Sequence, residues 1–216
     1  MVACLWAIAG GPSWVRANDL VLETFTQDRD GVRDLALGLT RRAFDTFCLH
    51  RRRMCPPAGL PAVFRERCGV FVSAIRDGAP RCCMGSLYPT QPTLAEEIIA
   101  AAVAAAGLDL RFPTIRPEEL EGLRLVVSLV APPVPLADPE GLDPVADGLA
   151  VRWGDRLGVA LPGETRHRDR MILWARLRAG APEGAGVEYF RVTAVRLLEP
   201  PCGTRRGSAP PTEQTR

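Results

Sequence analysis

The chain has 216 residues, 47% of them hydrophobic, enough to bury a core as one ordinary domain or two small units without disulfide or metal staples. Its 27 basic residues are all arginine and face 25 acidic ones. The resulting net charge of +2 excludes the strongly basic surface that non-specific nucleic-acid binding requires. The absence of lysine, the single Asn18 and the abundance of Ala, Gly, Pro and Arg fit a GC-rich coding sequence, so arginine runs carry little functional weight.

Seven cysteines, none in C-x-x-C spacing, read as reduced thiols in a cytoplasmic protein rather than as a zinc knuckle or a redox pair. The opening MVACLWAIAGG is apolar, has no basic residue ahead of its apolar run and is too short for a membrane span. Residues 1–29 are therefore read as a partly disordered leader, with a cleaved signal as the alternative.

From Asp30, a plausible N-cap, Val32, Leu35, Ala36, Leu39, Ala43 and Phe47 recur at helical steps. The arginines Arg51 to Arg53 suit the end of that helix, and CPPAGLP stops it. GVFVSAI, an Asp-Gly turn and PRCCMGSL predict a β-hairpin. Thr93 and Glu96 have capping-box spacing ahead of an alanine-rich helix that ends at Gly107, and Pro117 with Glu118 and Glu119 opens a short helix. LRLVVSLV is a strand, followed by a proline-rich loop. GLAVRWGDRLGVALPG is a second hairpin, residues 165–179 a helix stopped at Gly180, and VEYFRVTAVRLLE one long closing strand. Residues 200–216 are polar and proline-rich and read as a disordered tail. Hairpins mixed with helices, without βαβ alternation, give an α+β class with antiparallel sheets.

In the strand PRCCMGSL, alternation puts Arg81, Cys83, Gly85 and Leu87 on one face and Pro80, Cys82, Met84 and Ser86 on the other. The adjacent thiols then see different environments, which argues against a disulfide or a two-sulfur metal clip. A metal site from Cys48, His50, Cys55 and Cys68 is disfavoured too, because Cys48 and His50 point about 200° apart on a helix.

PRCCMG resembles the Leu-Arg-Gly-Cys-Ile-Gly signature of the AMMECR domain family. GVFVSAIRDG, LRFP at 110–113, VVSLV, DGLAV at 147–151, ALP at 160–162, RAG at 178–180 and the final LLE follow in that family's order, so the resemblance spans roughly residues 32–199 and the domain is read as 30–199. It implies two unequal lobes forming a cleft, the larger holding both ends of the domain, with the signature strand near the cleft. It also implies possible partners, because some members resemble the A component of a group containing a Memo-type protein and a radical S-adenosylmethionine protein. No reaction or cofactor is implied. The departures at Pro80, Cys82 and Met84 fall on one strand face and the retained Arg81, Cys83 and Gly85 on the other, which marks the second face as the candidate site.

Two functions fit. In the first, Cys83 is a nucleophile whose thiolate is favoured by Arg81, roughly 6–7 Å along the strand, with His167 as a candidate base. In the second, the chain is a binding module in which Arg81 reads an anionic group and Gly85 admits a ligand close to the backbone. Phe112, Ser128 and Arg178 lie in other family-like segments and are expected to border the site. His50 is read as an exposed helix-end residue.

Overall fold

The computed structural model describes residues 13–201, and the expectations for residues 1–12 and 202–216 lie outside it. Its elements are the helices α1 (Ser13–Thr26), α2 (Val32–His50), α3 (Leu94–Gly107) and α4 (Arg168–Ala179), and the strands β1 (Gly69–Arg76), β2 (Ala79–Ser86), β3 (Arg124–Val130), β4 (Val134–Leu136), β5 (Gly148–Trp153), β6 (Arg156–Ala160), β7 (Glu188–Val192) and β8 (Ala194–Leu198). The strands form two antiparallel sheets of four, ordered β2-β1-β3-β8 and β4-β7-β5-β6, so the class is α+β as expected.

The first sheet is backed by α1, α2 and α3. Val72 and Ala74 of β1 and Leu125, Val127 and Leu129 of β3 point into this core by strict alternation and meet Leu39 and Phe44 of α2 and Ile98 and Ala102 of α3. The second sheet is backed by α4, whose Met171, Ala175 and Ala179 pack on Leu149, Val151 and Ala160. Gly158 of β6 makes this contact close: an added Cβ would stand 2.1 Å from the Ala175 carbonyl oxygen and 2.2 Å from the Ala179 nitrogen. The opposite faces of the two sheets meet at a smaller apolar seam that includes Phe71, Leu87 and Val130 from the first and Ala150, Leu161 and Val192 from the second.

Several expectations are corrected. Part of the segment read as leader forms α1, and its Asn18, Val21 and Phe25 are fully buried in the first core. The N-cap of α2 is Gly31, at φ 64°, and not Asp30. Leu35 stays exposed, whereas Phe44 is buried. The proline-rich loop contains β4 and a 3₁₀ turn at Pro139–Gly141. The single closing strand is two: the chain leaves the second sheet at Val192, passes Thr193 and joins the first at Ala194. Thr193 accepts a hydrogen bond from the Ala131 N–H at 2.8 Å, so both passages between the sheets run side by side.

The end of β8 is pinned by charge. Buried Glu199 takes both a guanidinium fork from Arg41 of α2 and the Leu125 N–H at 2.9 Å, while Arg124 donates to its backbone carbonyl at 2.7 Å. Arg41 also donates to the Leu123 carbonyl at 2.8 Å, so one cation ties α2, β3 and β8 together. Removing one partner of such a pair costs about 3–5 kcal/mol when the remaining charge is left alone, and the Asp45 carboxylate, 3.3 Å from Arg41, keeps the loss towards the lower figure. Glu199→Ala is expected to lose about that much unfolding free energy in urea titrations, and a loss below about 1 kcal/mol would show that the pair does not anchor the sheet.

Candidate functional site

β1 and β2 are joined by Asp77 and Gly78, both at positive φ (51° and 80°), which gives the tight hairpin turn that the Asp-Gly pair predicts. The register then breaks. Ala74 faces Cys82 and Ile75 faces Pro80, so Arg81 has no opposite residue and forms a bulge. This overturns the strand parity that places Arg81 beside Cys83.

Beyond the bulge, Cys82 is buried against the helix-backed core, where burial pushes its thiol up to about 12, as suits an inert packing residue. Cys83 points to the opposite face, towards the seam between the sheets. Arg81 instead grips Glu119 in the 3₁₀ turn Pro117–Gly122, with Nε to Oε2 at 2.8 Å and Nη2 to Oε1 at 3.0 Å, and donates to the Pro113 carbonyl at 2.9 Å. The Arg81 fork holds the Glu119 carboxyl below its usual range. Arg81 is therefore a structural anchor and lies outside the walls around Cys83.

The groups that do surround Cys83 come from elsewhere. β2 is an edge strand, so the outward N–H and C=O of Cys83 need partners beyond the sheet. Asp109 Oδ2 accepts the N–H at 2.8 Å and Arg111 Nη2 donates to the carbonyl at 2.7 Å. Arg111 also forks onto Asp109, with two bonds of 2.8 Å, which closes a clamp. Burial alone would raise the Asp109 carboxyl, but Arg111 and the two backbone N–H groups outweigh it and hold it below the usual range.

Two adjoining cavities meet at this clamp. The first, about 420 Å³, is lined by Ser73, Cys83, Phe112, Trp174 and Arg196 among others; the second, about 690 Å³, by Phe71, Gly85, Leu87, Leu157 and Leu161. Their common wall is Cys83, Arg111, Glu164, Leu177 and Arg178. Glu164 and Arg178 are paired at 2.7 Å, and Arg178 also donates to the Val159 carbonyl on β6. Arg196 of β8 reaches the first cavity past Gly163, where an added Cβ would lie 2.4 Å from its Nη1, and it donates to the Pro162 carbonyl at 2.7 Å.

Of the residues expected at the site, Cys83, Phe112 and Arg178 line the first cavity and Gly85 the second. The glycine at 85 has a packing reason of its own. A Cβ there would strike the Val70 carbonyl at 2.1 Å and the Phe71 Cα at 2.5 Å, so β1 demands the glycine. Ser128 is buried in β3, paired with Phe71 and Arg196 in register, and lines neither cavity. His167 is the exposed residue preceding α4, its N–H bonded to Thr165 Oγ1, and it also lines neither; His50 is exposed at the end of α2. Asp109, Arg111, Glu164, Trp174 and Arg196 escaped sequence reading.

The thiol of Cys83 is raised above its ordinary value. Burial is the main cause and the Glu164 charge adds to it, against opposing effects from the Ser73 hydrogen bond, Arg111 and Arg178. At neutral pH Cys83 is a neutral thiol with a carboxylate and two guanidinium groups nearby.

The AMMECR1 family profile matches residues 37–196, which takes in β1 to β7, the first part of β8, the clamp and all walls of both cavities. The chain belongs to the AMMECR1 family. A protein from Thermotoga maritima is 36% identical over 161 residues, covering 72% of this chain and 92% of its own length. One from Thermofilum pendens is 33% identical over 189 residues, covering 76% and 88% respectively. The crystal structure of an uncharacterized protein from Pyrococcus horikoshii, 27% identical, superposes with a TM-score of 0.70 over 78% of this chain and 91% of that one. Among the described residues of this AMMECR1 chain, no helix is long and apolar enough to cross a membrane.

Because the folded-state pKa of Asp109 is lowered, its contribution to stability is present above the unfolded carboxyl value near 3.9 and is lost as pH falls through the folded one. Asp109→Asn is therefore expected to be less stable than the parent at pH 7, with the difference shrinking below about pH 4. Urea midpoints measured from pH 7 to 3 check this, and parallel curves for the two proteins would refute it.

Proposed function

We propose that this AMMECR1 chain is a ligand-binding module that takes a molecule with one anionic group and an apolar body in the cavity beside Cys83. The observation that carries this reading is the charge balance of the cavity. Arg111 is matched by Asp109 and Arg178 by Glu164, whereas Arg196 forms no ion pair among the described residues and donates only to a carbonyl. Its remaining donors suit a carboxylate or phosphate, and Trp174, Phe112 and Ile75 supply apolar wall for the rest of the ligand. A binding role needs no base and is compatible with a neutral Cys83 thiol. Arg196 thus takes the anion-reading part that sequence reasoning gave to Arg81.

The test compares aromatic carboxylates with their amides by calorimetry. The parent is expected to prefer the carboxylate, and Arg196→Gln to weaken it about ten- to a hundredfold while leaving the amide alone. Equal affinity of both proteins for the carboxylate would overturn the reading.

A second reading keeps Cys83 as the nucleophile of an enzyme acting with Memo-type and radical S-adenosylmethionine partners. It is favoured by Glu164, the one carboxylate among the described residues that lines either cavity, which on this reading would accept the proton of the neutral thiol. On this reading Glu164→Gln moves the pH profile of Cys83 alkylation to lower pH, since the carboxylate charge raises the thiol. Any turnover seen in the presence of such partners is lost in Cys83→Ser; undiminished turnover in that variant would sink it.

A further inference from the structure

The two cavities at Cys83 differ in a way that specifies the shape of the ligand. The first holds the unmatched Arg196 at one end. The second contributes no further arginine beyond the two on the common wall, and its sides are Phe71, Leu87, Leu157, Val159 and Leu161. The common wall has a fixed part and a movable part. Arg111 is fixed, because it is forked to buried Asp109 and bonded to the backbone of Cys83. Glu164 is held by Arg178, which is itself bonded to the Val159 carbonyl and lies over the Trp174 ring, whereas Leu177 is 64% exposed. A side chain as exposed as Leu177 changes rotamer quickly and at little cost, so Leu177 is the movable part of the wall.

From this we infer that the two cavities form one elongated site, which takes a linear amphipathic carboxylate: its anionic end at Arg196, its hydrocarbon chain passing Cys83 and lying along Phe71, Leu87 and Leu157. The inference rests on the anion-binding role of Arg196 proposed above and adds the length and linear form of the ligand. No covalent step is part of it. Tyr88, 42% exposed, and Leu157, 39% exposed, stand at the far cavity, where a chain would cover them.

Saturated linear carboxylates from butanoate to dodecanoate, titrated into the full-length chain by calorimetry, provide the test. Each methylene entering the apolar cavity is worth about fourfold in affinity, so Kd should fall steadily along the series and level off once the second cavity is filled. Dodecanoate should slow iodoacetamide labelling of Cys83 at least tenfold at saturation. Leu157→Asp, at a partly exposed position that the core does not need, should weaken dodecanoate about tenfold or more and leave butanoate unchanged, whereas Arg196→Gln should weaken both alike. If butanoate and hexanoate bind through Arg196 but longer chains gain nothing, or dodecanoate leaves Cys83 as reactive as before, the elongated site falls and the anion-binding role stands. If no member of the series binds, or Arg196→Gln changes none of them, both fall.

Discussion

An edge strand must dispose of its outward backbone groups, and in this protein the way β2 does so determines the site. At Cys83 those groups are taken by Asp109 and Arg111, side chains from the loop that follows α3. Without that clamp the strand would present bare N–H and C=O groups to water or to another chain. With it, this stretch of backbone is fixed from both sides, by β1 within the sheet and by the buried Asp109 carboxylate with its partner Arg111 outside it. The thiol consequently keeps one orientation, towards the seam between the sheets. Asp109 acts through position, whereas Arg111 does two things: it helps to set where Cys83 stands and, with burial, Ser73, Glu164 and Arg178, it acts on the thiol's charge state.

The bulge at Arg81 is the other half of the arrangement. It inserts one residue between the hairpin turn and the clamp, which turns Arg81 out of phase with Cys83 and sends its guanidinium to Glu119. Pro80 then comes to line the first cavity, at an edge position that costs no ladder hydrogen bond. A single extra residue thus separates a structural arginine from the thiol, and the arginines that do face the cavity arrive from α4, β8 and the loop after α3.

Much of the fold was legible because its signals are local. The Asp77-Gly78 turn, the Thr93 and Glu96 capping box, and the stops at Gly107 and Gly180 each depend on neighbours within a few residues, and each is found in place. What failed depends on distant partners or on the absence of a mark. A bulge leaves alternation intact on paper, so the parity of Arg81 and Cys83 looked sound. The break at Thr193 has no glycine or proline to announce it, because threonine suits a strand on either side. α1 did carry a signal in the three- and four-residue steps from Asn18 to Val21 to Phe25, which the apolar start of the chain obscured. Asp109 and Arg111 carried none, since their contacts with Cys83 span 26 and 28 residues. The candidate site was thus half visible: the thiol stood out by motif, and most of the charged groups around it became identifiable only in three dimensions.

The path of the chain between the sheets has a mechanical meaning. β4, β5, β6, α4 and β7 form a closed excursion, which leaves the first sheet after Val130 and returns through Thr193, and the two crossings are bonded to each other by Ala131 and Thr193. Two crossings tied to each other keep the sheets from parting at that end without loss of the Ala131–Thr193 bond. Cys83 lies on β2, at the edge of the first sheet, while Glu164, Leu177 and Arg178 of its wall belong to the excursion, after β6 and on α4. The walls beside the thiol are thus drawn from both sides of that junction, and the packing of one sheet on the other sets the space between them.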